Sequence, residues 1–73
     1  MTQVDVYNFL KARPGMYYSS FEIADKMDIT VQAVRRALNK LVANGDVEFV
    51  EHDIPKNNHV YTTRYYAYPL GDM

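Results

Sequence analysis

Apolar positions recur at helical spacing through the first part of the chain and change to an alternating pattern near its end. Val6, Phe9 and Leu10 fall at i, i+3 and i+4, with Tyr7 at the edge of the stripe. This predicts a first helix from about Gln3 to Ala12, started by Thr2 with Asp5 three residues on. Pro14-Gly15 stops it and turns the chain into a short aromatic connector, Met16-Tyr17-Tyr18. Ser19-Ser20-Phe21-Glu22 reads as a capping box: a serine oxygen serves a free backbone N–H and the glutamate answers from the third helical position. Ile23, Ala24 and Met27 then share one face of a second helix. It ends at Met27-Asp28, where Asp28 can take a left-handed conformation. Thr30 caps a third helix, Val31 to Ala43, whose inward face is Val34, Ala37, Leu38 and Leu41, and Asn44-Gly45 closes it.

Beyond that point the period is two. Asp46 to Glu51 begins with apolar and acidic residues in alternation and predicts a strand. His52 to His59, with one proline and two asparagines, predicts an eight-residue loop. Val60 to Tyr68, rich in β-branched and aromatic residues, predicts a second strand closed by Pro69. The expected fold is therefore α+β, one domain over residues 1–73, with a three-helix core and a small antiparallel sheet.

Length and composition narrow the function. Seventy-three residues can enclose one core, and 48% hydrophobic with 23% charged residues is the balance of a folded chain. The absence of cysteine excludes disulfides, thiolate metal sites and a cysteine nucleophile. No apolar run approaches the roughly 18 residues of a membrane span. The opening MTQVDVYNFL lacks the basic n-region of a signal peptide, so the expected compartment is the cytoplasm or nucleoplasm. Nothing supplies a nucleophile beside a base, a pair of pocket carboxylates or a phosphate-binding glycine loop. A binding module with no cofactor is expected rather than an enzyme.

The net charge of −1 argues against binding nucleic acid by bulk positive charge, but the charges are segregated. From Ile29 to Gly45 stand Arg35, Arg36 and Lys40 with no acid, and from Ile54 to Gly71 stand Lys56 and Arg64, again with none. The acids gather in Glu22/Asp25/Asp28 and Asp46/Glu48/Glu51/Asp53. This predicts a basic face on a domain with an acidic back; the plainer reading is that exposed residues are simply charged.

The order of elements, with two capped helices joined by a tight turn, resembles the winged helix-turn-helix superfamily (α1-β1-α2-α3-β2-wing-β3). The likeness is carried by Ser19-Ser20-Phe21-Glu22-Ile23-Ala24, by Met27-Asp28-Ile29-Thr30, by Val34-Arg35-Arg36-Ala37-Leu38-Asn39-Lys40-Leu41, and by Asn44-Gly45-Asp46-Val47. It spans about Val4 to Tyr68 and has the cadence of repressors of the MarR and ArsR types. Asp28 replaces the usual glycine or asparagine of the turn. The sequence has neither the long dimerisation helices of the MarR type nor the sensor cluster of the ArsR type. Its layout is closer to minimal winged-helix regulators, such as small fimbrial-operon regulators and archaeal or viral ones.

The resemblance implies that the third helix enters the major groove of double-stranded DNA. At about 100° per residue, Arg36 points away from the Val34/Leu38/Leu41 side, flanked by Gln32, Asn39 and Lys40, with Arg35 nearer the edge. Arginine can bond guanine bidentately, and glutamine or asparagine can do the same to adenine; Lys40 is placed for phosphate. Ser20 and Thr30, at helix starts, could add phosphate contacts through free N–H groups, or serve only as caps. The same polar residues would also suit a merely solvated helix face.

The loop His52–His59 would be the wing. Lys56 is its cation, Asn57 and Asn58 are donors, and Arg64 on the returning strand could reach the backbone, while Glu51 and Asp53 at its base would repel phosphate. His52, Asp53 and His59 match no metal-site spacing, so no metal is expected. Seven tyrosines either complete an undersized core or, through Tyr61, Tyr65, Tyr66 and Tyr68 on the last strand, offer an aromatic patch for a second copy or another protein. The leading expectation is a sequence-specific DNA-binding transcriptional regulator, acting as a homodimer on two half-sites. The competing one is a winged-helix protein-interaction module.

Overall fold

A computed structural model describes residues 2–70. They form a small α+β domain in the order α1 (Thr2–Lys11), β1 (Tyr18–Ser19), α2 (Ser20–Met27), α3 (Val31–Ala43), β2 (Glu48–Lys56) and β3 (His59–Ala67). The three strands make one antiparallel sheet with β3 in the centre, β1 on one side and β2 on the other.

The core is built from the stripes the periodicity marks. Val6 and Leu10 of α1, Ile23 and Ala24 of α2, and Val34, Ala37, Leu38 and Leu41 of α3 are buried together, joined by Val47 and Tyr66. Aromatic rings widen this core at its margin. Phe9 meets Tyr18 edge-on at 5.3 Å, and Tyr7 meets Tyr68 at 5.8 Å, both in the geometry that the ring quadrupoles favour. The neighbouring Tyr68 phenol raises the pKa of the Tyr7 phenol above its usual value. Four of the seven tyrosines thus pack in or against the core.

The local signals act as their chemistry requires. Ser19 is the cap of α2: its Oγ accepts from the Glu22 N–H at 3.2 Å, and Glu22 Oε1 accepts from the Ser19 N–H at 2.9 Å. Asp28 ends the helix with φ 57°, and its backbone N–H donates to the carbonyls of Ala24 and Asp25. Thr30 Oγ1 then accepts from Ala33 N–H at 3.2 Å and starts α3. Gly45, at φ 77°, lets the chain leave α3 in the left-handed region while Asp46 N–H closes on the Leu41 carbonyl at 2.9 Å. Ser19→Ala removes one arm of the capping box and is expected to cost about 1 kcal/mol. Urea denaturation followed by circular dichroism measures it; an unchanged midpoint would mean that the box does not hold α2.

Two expectations need correction. First, α1 begins at Thr2 and ends at Lys11, so Thr2 lies inside the helix rather than capping it. Second, the eight-residue loop His52–His59 does not exist. The chain stays extended through it: β2 runs to Lys56, β3 restarts at His59, and only Asn57 and Asn58 turn. Both take positive φ, 52° and 63°, the requirement of the two-residue turn whose twist matches a hairpin. Asparagine tolerates this region better than most residues. Pro55 sits in β2, at the edge of the sheet, where a missing N–H costs least. Consequently β2 and β3 form a nine-by-nine residue ribbon, and every residue of β2 is exposed.

Candidate functional site

Partners across an antiparallel pair share a face, so the register sorts the ribbon into two sides. One side carries Phe49/Tyr66, Glu51/Arg64, Asp53/Thr62 and Pro55/Val60; the other carries Val50/Tyr65, His52/Thr63, Ile54/Tyr61 and Lys56/His59. The first side borders a groove of about 620 Å³ whose lining includes Ser20, Phe21, Arg35, Asn39, Glu51 and Arg64. The groove thus runs between the start of α2, one flank of α3 and the ribbon.

The exposed face of α3 is divided by this arrangement. Arg35 and Asn39, one helical turn apart, line the groove beside the ribbon. Arg36 and Lys40, also one turn apart, line a second, smaller hollow with Thr2 and Gln3 at the start of α1. Gln32 lies between the two flanks and is exposed. All five polar side chains expected to face outward do so, and α3 itself contains no acid. Thr30 is exposed beside them and is engaged as a cap. Ser20 is different: it is the first residue of α2, only 8% exposed, and offers little to a ligand beyond its place in the groove lining.

Electrostatics on the ribbon depart from the segregation of charge expected above. Arg64 Nε donates to Glu51 Oε2 at 2.9 Å, and its guanidinium lies 4.7 Å from the centre of the Phe49 ring. The hydrogen bond to Glu51 raises the pKa of Arg64 further, so it remains a cation, but one whose charge is offset by its partner. Asp53 accepts from Thr62 Oγ1 at 2.9 Å on the same side. Glu51 and Arg64 cancel, and Asp53, bonded only to a neutral hydroxyl, leaves this side of the ribbon slightly acidic, not basic. Lys56 stands on the opposite side of the ribbon at its tip, next to Asn57 and across from His59. His52 and His59 share that side, whereas Asp53 is on the other. Among the described residues no group of three or more histidine and acidic side chains is placed to hold a metal ion.

No protein-family model matches this chain, and no curated protein does.

Three features of the site escape the sequence pattern. Phe21 is 58% exposed, and the Arg35 guanidinium lies 5.3 Å from its ring centre. Its position in the sequence carried a signal: at about 100° per residue it falls well off the Ile23/Ala24/Met27 stripe, so α2 had no reason to bury it. The Glu51–Arg64 pair depends on the register, which only the ribbon reveals. The third is the side of the ribbon away from the groove, where Val50, Ile54 and Tyr61 are exposed together beside Tyr17. There Tyr17 O–H donates to Glu48 Oε2 at 2.6 Å, which raises the pKa of the phenol and ties the connector before α2 to the base of the ribbon.

No helix among the described residues is long and apolar enough to cross a membrane.

Proposed function

We propose that this chain is a winged helix-turn-helix domain that binds double-stranded DNA sequence-specifically, as a small transcriptional regulator, with α3 in the major groove and the β2–β3 ribbon as its wing. The observation that carries the reading is the outer face of α3. Gln32, Arg35, Arg36, Asn39 and Lys40 all stand exposed opposite the buried Val34/Leu38/Leu41 stripe, without an acid in the helix. These are the side chains that read guanine and adenine edges or hold phosphate. The order of helices and strands, with a ribbon beside α3, is compatible with that layout. In this reading Lys56 and Asn57 bring the wing tip to the sugar–phosphate backbone, and Arg64 serves mainly to neutralise Glu51. One such module covers a single half-site, so two copies on adjacent half-sites are the working form.

The test is a titration of the protein with random-sequence duplex DNA at low and near-physiological salt, followed by backbone amide shifts. Shifts over residues 30–40 and at Lys56–Asn57 that fade steeply with salt support the reading; shifts that spare α3 refute it. Lys56→Ala in the same titration is expected to weaken binding to all sequences alike. It should lower the slope of log affinity against log salt by about one unit. An unchanged slope would remove the wing tip from the interface.

One observation favours a second reading, a winged-helix module for protein–protein contact. The far side of the ribbon exposes Tyr17, Val50, Ile54 and Tyr61 together, and tyrosine is enriched in interface cores. That reading predicts amide shifts on β2 and β3 with a protein partner and none on α3 with DNA.

A further inference from the structure

We propose that Phe21 and Arg35 act as one unit that reads a thymine next to a guanine. The inference rests on α3 lying in the major groove, and it goes further by assigning a base step to a pair of residues, one of which is not on α3.

Phe21 is the starting point. It is a large apolar side chain, 58% exposed, at the second position of a helix whose buried stripe it does not join. Solvent exposure of a phenylalanine gains nothing for the fold, yet the ring is not idle. The Arg35 guanidinium lies against it, 5.3 Å from the ring centre, and both residues line the same groove. Among the described residues Arg35 has no carboxylate partner, because Glu51 across the groove is already held by Arg64. The aromatic face is thus what restrains the guanidinium fork, through cation–π attraction, and it does so without consuming the N–H donors.

Such a fork, held but unspent, matches the two acceptors O6 and N7 on the major-groove edge of guanine. The ring beside it offers what arginine lacks, an apolar contact for a C5-methyl group, which marks thymine in the same groove. Successive bases on one strand are about 3.4 Å apart along the axis, so the spacing of ring and guanidinium suits neighbouring bases, not distant ones. Arg35 supplies the guanine contact and Phe21 the thymine contact, and each positions the other.

Selection from a pool of randomised duplexes tests this, using the 73-residue protein and its Arg35→Ala, Phe21→Ala and Phe21→Leu variants. Phe21 is exposed, so its variants keep the core intact. The expected wild-type sequence contains a guanine that Arg35→Ala no longer selects. Beside it stands a thymine that Phe21→Ala no longer selects and Phe21→Leu, still apolar, retains. Replacing that thymine by uracil removes only the methyl group. It should weaken wild-type binding about fourfold, the worth of one buried methyl, and leave Phe21→Ala unaffected. A purely structural role for Phe21 would not create sensitivity to a methyl group on the DNA. The proposal is overturned if uracil costs both proteins equally, or if no thymine preference adjoins the Arg35-dependent guanine. A wild-type pool with no enriched sequence defeats the DNA reading itself, whereas an enriched sequence without a Phe21-dependent base defeats this inference alone.

Discussion

Leu38→Ala is expected to remove about 2–5 kcal/mol of stability, a large share of what holds the domain folded. Leu38 is 0% exposed and is among the largest fully buried side chains, in the middle of α3 and within the cluster that joins all three helices to Val47 and Tyr66. Truncation loses the transfer energy of the missing carbons. It also leaves a cavity, because neighbours anchored on four separate segments cannot all move into it. A domain of this length has only roughly 4–11 kcal/mol to lose, which is why one side chain matters so much. With a denaturant slope near 1 kcal/mol per molar, the urea midpoint should fall by about 2 M or more. Lys40→Ala, on the opposite face of the same helix, is expected to stay within about 0.5 kcal/mol of wild type. If both variants unfolded at the wild-type midpoint, α3 would not pack as described.

That contrast within one helix explains how much the sequence could disclose. Burial imposes a period, and a period can be read without coordinates. The stripes of α2 and α3, the Ser19 and Thr30 caps and the left-handed Asp28 are all legible because each is a local answer to a local problem. The ribbon is not of that kind. Every residue of β2 is exposed, so neither side of it is forced apolar, and no alternation distinguishes His52–Lys56 from a loop. Pro55 and the two asparagines strengthen the wrong impression. What holds those residues extended is pairing with His59 to Thr63, a non-local fact that fixes the register from Lys56↔His59 back to Glu48↔Ala67.

The candidate site divides in the same way. Five outward residues of α3 follow from helical geometry and stand where that geometry puts them. The partners of two arginines do not follow from it. Arg64 counts as a free cation in the sequence, and register gives it to Glu51. Arg35 counts as an edge residue, and the start of α2 gives it to Phe21. The first change takes one cation off the groove side by pairing it, the second restrains a cation without spending its donors, and together they raise the importance of the exposed cations of α3.

Arg36 is foremost among these, and Arg36→Ala is expected to weaken binding to the selected DNA sequence by about 1–3 kcal/mol, roughly 5- to 150-fold. It is exposed on the outer face of α3, on the flank away from Glu51, and shares its hollow with Lys40 and the uncharged Thr2 and Gln3. Among the described residues no acid lines that hollow to compete for the guanidinium. A guanidinium so placed can form two parallel hydrogen bonds to a guanine edge, and alanine leaves those acceptors without donors once water has been excluded. Arg36→Lys separates charge from shape. Lysine preserves the phosphate attraction but cannot reproduce the bidentate fork, so it should recover affinity for random DNA while leaving most of the discrimination lost. Competition binding at fixed salt, selected against scrambled duplex, gives both quantities from one experiment. Equal losses on the two duplexes would make Arg36 a phosphate contact and shift base reading to the Phe21–Arg35 flank. A loss confined to the selected duplex, with the salt slope little changed, would place a base edge against this residue.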